Sequence, residues 1–415
     1  MSFPRYPSYK DSGVEWLGAV PEHWEVVQFK QFVDIQNGTD HKHVEQAEGY
    51  PVVGSGGVFA YASDFLYEGE SVLLGRKGTI DKPLHITGRF WTVDTMYWTK
   101  IHPDACGRFA YYSALTIPFD FYSTNTALPS MTKGALSSHR LARPSLPEQT
   151  QIAAFLDRET AKIDALVAEQ RRLMELLKEK RQAVISHAVT KGLNPNAPMK
   201  PSGIEWLGDV PEHWDVSKMK WVAEMQSGHT PDKKIPAYWD GGDISWVSLN
   251  DTGYLKDNDY ISETAYNITQ LGIDNSSARI LPAGIVVFSR DATIGRCAIT
   301  TKPMAVSQHF IAWVCGETMV PTFLLLRLRS MTGELDRLTT GATLKTIGMP
   351  DVQTLVTPVP PLSEQKTIVA YLAEQTVQLD TLITETQHAI DLLQERRTAL
   401  ISAAVTGQID VRHLA

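Results

Sequence analysis

The sequence of 415 residues is short of cysteine and has no long apolar segment. Its three cysteines, Cys106, Cys297 and Cys315, show no C-x-x-C spacing, so neither a disulfide framework nor a zinc ribbon is expected. No apolar run is long enough to span a bilayer, and the first residues lack the apolar core of a signal peptide. These absences predict a cytoplasmic protein of a reducing compartment with no membrane partner.

Positive charge is also scarce. The chain has 39 Lys and Arg residues against 47 Asp and Glu residues, which gives a formal net charge of −8. Nucleic-acid-binding proteins usually carry a basic domain or stripe, and no segment of this chain is strongly basic. Any contact with DNA must therefore rely on locally concentrated cations or on partner subunits.

Motifs of the common cofactor and metal sites are missing. Phe59 stands where a dinucleotide-binding loop at Gly54–Gly57 would need its third glycine, so we interpret these glycines as a β-turn. There is no G-x-x-x-x-G-K-[ST] phosphate loop and no Asn-Pro-Pro-Tyr-type loop for amino-group methylation. The twelve histidines include no H-x-x-x-H or H-E-x-x-H pair. We predict that this chain binds no cofactor and no metal.

One pattern resembles a metal-dependent nuclease on paper. Pro350-Asp351 is followed by Glu364-Gln365-Lys366. The duplicated copy of the second segment reads Glu148-Gln149-Thr150 and has no lysine. A glutamate at the start of a helix also has a structural reason, because its charge is stabilised by the helix dipole. The nuclease interpretation is therefore disfavoured, and we predict no catalytic residue.

What the chain does contain is a duplication. SGVEWLGAVPEHW, from Ser12 to Trp24, returns 190 residues later as SGIEWLGDVPEHW, from Ser202 to Trp214, with eleven of thirteen positions identical. LPEQTQIAAFL from Leu146 returns 216 residues later as LSEQKTIVAYL from Leu362. Such an interval is far longer than the ~20–50 residues of a solenoid repeat. The chain is therefore built from two similar but non-identical halves.

The second duplicated motif opens two long helices, predicted over residues 148–191 and 362–407. Apolar residues recur three and four positions apart, as in a coiled-coil seam. A lone helix of ~43 residues and ~64 Å cannot bury such a seam, so we expect the two helices to pair antiparallel. The residues assigned to pairing and to partner docking are Ile152, Leu156, Ile163, Leu166, Leu173, Leu177, Ile368, Leu372, Leu379, Leu382, Leu393 and Leu400.

The segments before the helices are rich in Gly, Pro, Thr and aromatics and contain short β-like runs at 70–74 and 285–289. We predict an α+β protein with two mixed, strand-rich domains, two long antiparallel coiled-coil helices and an internal pseudo-twofold duplication. The predicted bounds are 1–147 for the first domain, 148–200 for the central helix and linker, 201–358 for the second domain and 359–415 for the C-terminal helix.

The two domains share only short islands of sequence. Arg76–Ile80 and Arg290–Ile294 share the pattern R-x-x-T-I, and Asn125–Met131 aligns without gaps with Gly341–Ile347. Basic side chains on such loops can hold phosphates or read guanine edges, although a solvated loop is the alternative. The candidate DNA-contact residues are Arg76, Lys77, Thr79, Lys82, Arg89, Lys133, Arg290, Thr293, Arg296 and Lys345.

Aromatic residues and histidines of the first motif have structural interpretations. Trp16, Trp24 and their copies Trp206 and Trp214 could stack on bases, but their place among apolar neighbours at a domain start favours core anchors. His23 and its copy His213 lie between Glu and Trp. We interpret both histidines as packing and hydrogen-bonding residues.

Two diverged domains, each beginning near E-W-L-G-x-V-P-x-H-W and each followed by P-x-L-x-E-Q-x-x-I and a long helix, resemble the DNA specificity subunit of type I restriction–modification systems. The resemblance covers essentially the whole chain. It also extends to the island Gly75–Ile80 with Thr92–Met96 and to the island Phe288–Arg296, which look like parts of that family's target-recognition domains.

The resemblance implies a non-catalytic reader of double-stranded DNA. Each target-recognition domain would read one half of a split, asymmetric sequence, and the coiled coil would set the spacing. Two adenine-N6 methyltransferase subunits, which use S-adenosylmethionine, would bind the chain, and two translocase–nuclease subunits, which use ATP and magnesium, would join them. The implied location is the bacterial or archaeal cytoplasm, at the nucleoid.

Two alternatives come from other classes of protein. A self-sufficient nuclease or methyltransferase would need a cofactor loop or metal-binding carboxylates, and the motifs above argue against both. A coiled-coil scaffold without a DNA role would not need two diverged, loop-rich domains.

Overall fold

The computed structural model describes residues 3–122, 129–341 and 345–414. The chain divides into two compact units. Unit 1 consists of residues 1–172 together with 386–415, and unit 2 consists of residues 173–385. Each unit therefore contains one domain and a part of both long helices.

Unit 1 contains a seven-stranded sheet in the order β4-β10-β8-β9-β6-β7-β5, and two small strand pairs, β1-β2 and β3-β11. Its neighbouring strands are antiparallel except for β6 and β9, which are parallel. The elements in chain order are β1 (Tyr9–Asp11), β2 (Ala19–Pro21), β3 (Glu25–Gln28), a 3-10 turn (Phe29–Gln31), β4 (Val33–Asn37), β5 (Glu45–Gln46), β6 (Tyr50–Gly54), β7 (Gly57–Ala62), β8 (Tyr67–Gly75), β9 (Leu84–Thr92), β10 (Met96–Ile101), α1 (Gly107–Ala114), α2 (Phe119–Tyr122), α3 (Lys133–Ser138), β11 (Arg140–Arg143) and the start of α4 (Leu146–Lys191).

Unit 2 repeats this plan with a smaller central sheet, β15-β22-β19-β20-β17, and a second sheet, β18-β16-β21. Here β17-β20 and β16-β21 are the parallel pairs. Its elements are β12 (Met199–Pro201), β13 (Asp209–Pro211), β14 (Asp215–Lys218), α5 (Met219–Val222), β15 (Ala223–Ser227), β16 (Ile244–Val247), α6 (Thr252–Asp257), β17 (Tyr260–Ile261), β18 (Tyr266–Ile268), α7 (Gln270–Asp274), β19 (Val286–Ser289), β20 (Cys297–Thr300), β21 (Ala305–Val306), β22 (Phe310–Cys315), α8 (Pro321–Arg329), α9 (Thr332–Leu338), α10 (Met349–Val352), β23 (Val356–Val359), 3-10 turns at Pro236–Tyr238 and Leu249–Asp251, and the start of α11 (Leu362–Val405).

An inner strand of the main sheet in each unit, β8 in unit 1 and β19 in unit 2, is buried on both faces. In β8, Val72 and Leu74 join the large core of unit 1, whereas Leu73 joins a smaller cluster on the opposite face. In β19, Val286 and Phe288 join the large core of unit 2 and Val287 joins a second cluster. Successive side chains of a strand point to opposite faces, so an uninterrupted apolar run requires cover on both sides. The predicted β-like runs and the α+β class are confirmed.

The helices α4 and α11 have 46 and 44 residues and pack together antiparallel. In unit 1, the Arg397 Nε atom donates to Asp164 Oδ1 at 2.9 Å. In unit 2, the Arg181 Nε atom donates to Asp380 Oδ1 at 2.7 Å. The two ion pairs are related by the 216-residue repeat with their partners exchanged. None of the helices in the described part of the chain combines the length and apolar character that crossing a membrane requires.

At three predicted positions, the residue that faces the partner helix is the next one along the chain. Leu166, Leu173 and Leu382 are between 44% and 50% exposed, so their assignment to the pairing seam is wrong. A stretch with adjacent apolar residues allows two seams, and Val167, Met174 and Ile383 fill the observed one. Its buried and half-buried positions are Ile163, Val167, Gln170, Met174, Leu177, Arg181 and Val184 in α4, and Leu379, Ile383, Thr386, Ile390, Leu393, Arg397 and Leu400 in α11. The other predicted seam residues, Ile152, Leu156, Ile368 and Leu372, are fully buried near the helix starts.

The tryptophans of the duplicated motif divide into two classes. Trp24 and Trp214 are fully buried in the cores of their units, as predicted. Trp16 and Trp206 are 40% and 37% exposed, so their interpretation as core anchors is wrong. The Trp16 ring stacks on His139 with centroids 4.5 Å apart. The Arg327 guanidinium lies 5.0 Å from the Trp206 ring centroid, so both exposed indoles cover a polar side chain of their own domain.

Candidate nucleic-acid interface

Three loops of each domain meet at one end of its central sheet. In unit 1, the last residue of β8, Gly75, is opposite the first residue of β10, Met96, and the end of β4 lies beside them. In unit 2, the end of β19, Ser289, is opposite the start of β22, Phe310. Three loops therefore lie at the same end of each sheet. They are the loop after β4 or β15, the R-x-x-T-I turn after β8 or β19, and the turn before β10 or β22. Loops at one end of a rigid sheet are a common place for a binding surface.

A glycine brings two of these loops into close contact. A Cβ atom on Gly38 would lie 2.0 Å from the carbonyl oxygen of Val93, and one on Gly228 would lie 1.6 Å from that of Val306. Glycine is therefore required at both positions. The next carbonyl is also fixed in both units, because the Trp91 and Trp246 indoles donate to the oxygens of Thr39 and His229 at 3.0 and 3.1 Å.

The repeated arginine holds a turn in place. The Arg76 Nη1 atom donates to the carbonyl of Asp94 at 3.3 Å. Its equivalent Arg290 donates from Nε to the carbonyl of Gln308 at 3.2 Å and from Nη1 to that of Ile347 at 3.1 Å. Both guanidinium groups therefore bind backbone of their own domain. That they also read bases stays a prediction.

The R-x-x-T-I turn adopts the same conformation in both domains. Gly78 and Ala292 occupy equivalent positions with φ of 82° and 60°, in the left-handed region that favours glycine. The Gly78 amide donates to the carbonyl of Pro129 at 2.9 Å, and the Ala292 amide donates to that of Lys345 at 2.8 Å. The two repeated islands therefore meet in space. Most of the second island, residues 125–128 and 342–344, lies outside the described residues.

A buried carboxylate organises the second domain's loop end. Asp291, 5% exposed, accepts from His309 Nδ1 at 2.7 Å and from the hydroxyl of Thr346. The adjacent Gln308 accepts a hydrogen bond at Oε1 from Thr230. In the first domain the positions of Asp291, Gln308 and His309 are occupied by Lys77, Asp94 and Thr95. The backbone is shared while the side chains differ in charge and hydrogen-bonding capacity.

The same loop end in the second domain borders a cleft of about 780 Å³. Its walls combine aromatic rings with amides and a few charged groups, a composition suited to hydrogen-bonding a planar polar partner. The side chains that line it include Trp239, Trp246, Asn250, Tyr266, Asn267, Gln308, His309 and Lys233. Trp239 and Trp246 pack edge to face in this wall, with centroids 5.1 Å apart.

The remaining candidate DNA-contact residues lie in different surroundings. Lys77, Thr79, Lys82, Lys133, Thr293 and Lys345 are exposed, and Arg296 is half-buried. Arg89 lies on β9, outside the R-x-x-T-I turn, and forms an ion pair with Glu68 at 3.0 Å. Lys77 and Lys345 belong to the loops that meet at the sheet end. Lys133 is the first residue of α3, two positions after Met131, whose amide donates to the carbonyl of Arg76 at 2.9 Å.

Sequence reasoning missed the loops that follow the first strand of each sheet. These loops bring His41, Lys42 and His43 in the first domain, and His229, Lys233 and Lys234 in the second, to the same sheet end. One signal was present, because Gly38 and Gly228 are separated by the same 190 residues as the tryptophan motif. The residues around these glycines have diverged, so this signal is weak.

The two duplicated sequence motifs bind each other within each unit. His23 Nε2 lies 3.1 Å from Glu148 Oε2, and His213 Nε2 lies 2.8 Å from Glu364 Oε2. The hydrogen-bonding role predicted for both histidines is confirmed. Glu148 also accepts from the hydroxyl of Tyr6 at 2.8 Å, and burial together with this carboxylate raises the pKa of Tyr6.

The following glutamine fixes the helix start. Gln149 accepts from the amide of Cys106 at 2.9 Å and donates to the carbonyl of Pro144 at 2.9 Å. Gln365 accepts from the amide of Val320 at 2.8 Å and donates to the carbonyl of Pro360 at 2.9 Å. The Glu-Gln pair therefore joins each domain to its helix. Within residues 3–122, 129–341 and 345–414, no group of three or more His, Cys, Asp or Glu side chains is arranged to hold a metal ion.

Comparison with known proteins identifies the family. The sequence profile of the type I restriction modification DNA specificity domain matches residues 21–174 and 211–391. The type I restriction enzyme MjaVIII specificity subunit of Methanocaldococcus jannaschii is 23% identical over 426 aligned positions, which cover 95% of each chain. The MjaIX specificity subunit of the same organism is 30% identical over 169 residues, which span 40% of this chain and 39% of that one.

A solved structure shares the fold. It is described as "Structural basis underlying complex assembly and conformational transition of the type I R-M system". Its matching chain aligns with a TM-score of 0.71 at 16% identity, covering 93% of this chain and 98% of that one. Two matches to one family profile, in two domains built on the same loop geometry, account for most of the sequence. The chain belongs to the family of type I restriction–modification DNA specificity subunits.

Proposed function

We propose that each domain of this chain reads one half of a bipartite, asymmetric DNA target. The observation that carries the proposal is the pair of loop ends built on equivalent backbone hydrogen bonds with different side chains. Two readers with one scaffold and two surfaces fit a target with two unlike halves. The direct test is to map methylated sites in a host that expresses the complete system. A motif with two specified halves and an unspecified gap is expected, and a continuous motif would contradict the proposal.

The chain acts without catalysis of its own. Glu364 is the glutamate of the nuclease-like pattern. It accepts hydrogen bonds from His213 and Trp214 and joins the second domain to α11. Purified alone, the chain should neither cut DNA nor transfer methyl groups from S-adenosylmethionine. Activity that survives the double substitution of Glu364 and Lys366 by alanine would point to a catalytic site elsewhere.

DNA binding by the isolated chain should be weak. The net charge of −8 opposes binding, while Lys77, Lys133 and Lys345 place local positive charge at the loop ends. Methyltransferase subunits would complete the positive surface around the DNA. Affinity measured with and without those subunits should differ strongly, and binding by the complex should weaken steeply with salt because phosphate contacts release counterions.

The paired helices set the distance between the half-sites. Their seam repeats with alternating spacings of three and four residues, so insertion of seven residues preserves it. Seven residues after Glu175 and after Asp391 would add ~10.5 Å of helix, equal to about three base pairs. The methylated sites should then show a gap wider by about three base pairs. Insertion of four residues at the same points is the matched control, because it rotates the seam by ~40° and should destabilise pairing.

A folded seven-residue variant that keeps the original gap would contradict this spacing role. In that case the helices would serve to bind partner subunits without measuring distance along DNA.

The outer surface of the helices binds the methyltransferase subunits. Leu166 and its copy Leu382 are 50% and 46% exposed, and Leu176 and its copy Leu392 are 52% and 50% exposed. Single exposed leucines are ordinary, but exposure at equivalent positions of both copies fits two equivalent docking sites. Two adenine methyltransferase subunits would bind there, and two ATP- and magnesium-dependent translocase–nuclease subunits would join the complex in the cytoplasm.

Substitution of the four leucines by glutamate tests this docking. Co-purification of the methyltransferase subunit should be lost, while the stability of the chain should change little because the side chains are half exposed. Val58→Glu, on an exposed strand of the first domain, introduces one glutamate away from the helices and should leave co-purification intact. Leu166→Glu alone carries the same single charge and should weaken co-purification. Undiminished co-purification by the leucine variant would place the docking surface elsewhere.

A further inference from the structure

We propose that equivalent loop positions of the two domains read different base pairs: Gln308 reads adenine in one half-site, and Lys77 with Asp94 reads a G·C pair in the other. This inference rests on the proposed function and assigns the residues that determine specificity. It starts from the sheet-end loops, where the two domains share their backbone most closely.

The backbone around these positions is equivalent in the two domains. The amide of Arg76 donates to the carbonyl of Thr95 at 2.9 Å, and the amide of Arg290 donates to that of His309 at 3.0 Å. The Arg76 and Arg290 guanidinium groups hold the carbonyls of Asp94 and Gln308. Asp94 and Gln308 are therefore presented from the same turn, and both are exposed.

The Gln308 side chain is oriented by its neighbours. Thr230 donates to Gln308 Oε1, and Gln308 Nε2 lies 3.4 Å from His309 Nε2. His309 is held in turn by Asp291, whose carboxylate lies 2.7 Å from its Nδ1 atom. A neutral imidazole that donates from Nδ1 has a lone pair on Nε2, which can accept from the Gln308 amide. Asp291, His309 and Thr230 are thus positioning residues for the amide. An oriented amide offers one acceptor and one donor in a plane.

That arrangement matches adenine in the major groove. Adenine presents the N6 amino donor and the N7 acceptor side by side, and glutamine binds both with its amide oxygen and nitrogen. Gln308 Oε1 has a second lone pair beyond the one used by Thr230, so both contacts can form.

The first domain presents a different chemistry at the same turn. Asp94 stands at the position of Gln308, and Lys77 stands at the position of Asp291. The first domain therefore has a carboxylate in place of the amide and a cation in place of the positioning carboxylate. Lysine donates to O6 and N7 of guanine, and a carboxylate accepts from the N4 amino group of cytosine. The two groups together complement the two edges of one G·C pair.

The experiment uses the full chain expressed with its methyltransferase subunit in a host free of adenine methylation, followed by sequencing that detects N6-methyladenine at every genomic site. Gln308→Ala should make one A·T position of one half-site degenerate, with discrimination reduced about 10- to 100-fold. Asp94→Ala or Lys77→Ala should make one G·C position of the other half-site degenerate. Asp94→Gln should shift the preference at that position toward A·T.

Matched controls lie at the opposite end of the same sheets. Glu317 follows β22 and Lys30 precedes β4, and both are exposed. Glu317→Gln and Lys30→Ala should leave the motif unchanged. Asp291→Asn should relax the same base position as Gln308→Ala without changing the other half-site, which distinguishes positioning from a general loss of folding. Gln308→Glu provides a second variant of the same size if the alanine variant is unstable.

A wild-type motif retained in full by Gln308→Ala, or by Gln308→Glu where the alanine variant does not fold, would overturn the inference. So would an effect of the Gln308 and Asp94 variants on the same half-site, or loss of discrimination at a G·C pair when Gln308 is changed. If the unaltered chain itself yields no bipartite motif, the proposed function fails independently of these residues.

Discussion

Arg397 donates two hydrogen bonds to Asp164, at 2.9 and 3.3 Å, and the residues 216 positions away, Arg181 and Asp380, form the same bidentate pair with the chain origins exchanged. Each arginine occupies a half-buried seam position, and each aspartate is exposed beside it. Each helix therefore carries one copy of the same Asp and Arg pair, and antiparallel pairing places the Asp of each helix beside the Arg of the other.

These ion pairs should contribute orientation more than stability. Asp164→Arg or Arg397→Asp alone should destabilise the helix pair by about 0.5–1 kcal/mol, because exposed pairs are screened and like charges then face each other. The double exchange should recover most of that loss. Urea denaturation of the four proteins of this double-mutant cycle measures the coupling. Additive effects of the two single changes would show that the pair contributes nothing measurable.

Glu148 and Glu364 should differ in importance although they are copies of one residue. Glu148 is 5% exposed and is the partner of the Tyr6 hydroxyl, so Glu148→Ala should destabilise unit 1 by about 2–3 kcal/mol. Glu364 is half-buried and accepts from the exposed His213 and from the indole of the buried Trp214, so Glu364→Ala should cost about 1–2 kcal/mol. Hydrogen exchange followed by mass spectrometry reports each unit separately. Equal protection losses would contradict the difference in burial.

The left-handed turn residue gives a prediction with opposite signs in the two domains. Ala292→Gly should stabilise the second domain by about 0.5–1 kcal/mol, because Ala292 has a φ of 60° that glycine adopts without strain. Gly78→Ala should destabilise the first domain by about 1 kcal/mol for the same reason. Thermal unfolding of both variants checks the signs. A destabilised Ala292→Gly variant would mean that the methyl group contributes packing that outweighs the strain.

His139 should make unit 1 sensitive to acid. Burial lowers the pKa of His139 to about 4, from 6.5 in the unfolded chain. Between these values the unfolded chain binds a proton that the folded chain does not, so stability falls as the pH drops through this window and is unaffected above it. The loss at pH 5 should be about 1–2 kcal/mol after allowance for solvent screening. Urea denaturation at pH 7 and pH 5 measures it.

His139→Gln is the control for that measurement. Glutamine keeps a hydrogen-bonding group beside Tyr122, whose hydroxyl lies 2.9 Å from His139 Nδ1, but it does not titrate. The variant should lose less stability than the unaltered chain between pH 7 and pH 5. An identical pH dependence would assign the acid sensitivity to other groups.

Much of the architecture could be predicted because it is encoded in local patterns. The 190- and 216-residue repeats revealed two domains and two helices, and the alternating spacing of apolar residues placed α4 and α11 to within two residues of their observed ends. The seam was harder to place. Leu166 and Val167 are adjacent and both apolar, so periodicity alone could not decide which one faces the partner helix.

The loop ends were only partly predictable for a different physical reason. The repeated arginine was evident from sequence, but its guanidinium binds carbonyls of residues 18 and 57 positions away in the chain, as in Arg290 with Gln308 and Ile347. Such pairings depend on strand register, which a single sequence does not specify. Asp291 and His309 likewise come together only because β19 and β22 are neighbours.

Unit 1 is formed from two separate segments of the chain, and this constrains the order in which the two units can fold during synthesis. Unit 2 is one continuous stretch, whereas the core of unit 1 includes Leu400, Ile401 and Val411 beside Trp24 and Phe155. The domain synthesised first must therefore wait for residues 400–411 to close its core. A message that is cut short after unit 2 would yield a first domain with an uncovered apolar surface, which is a substrate for chaperones and proteases.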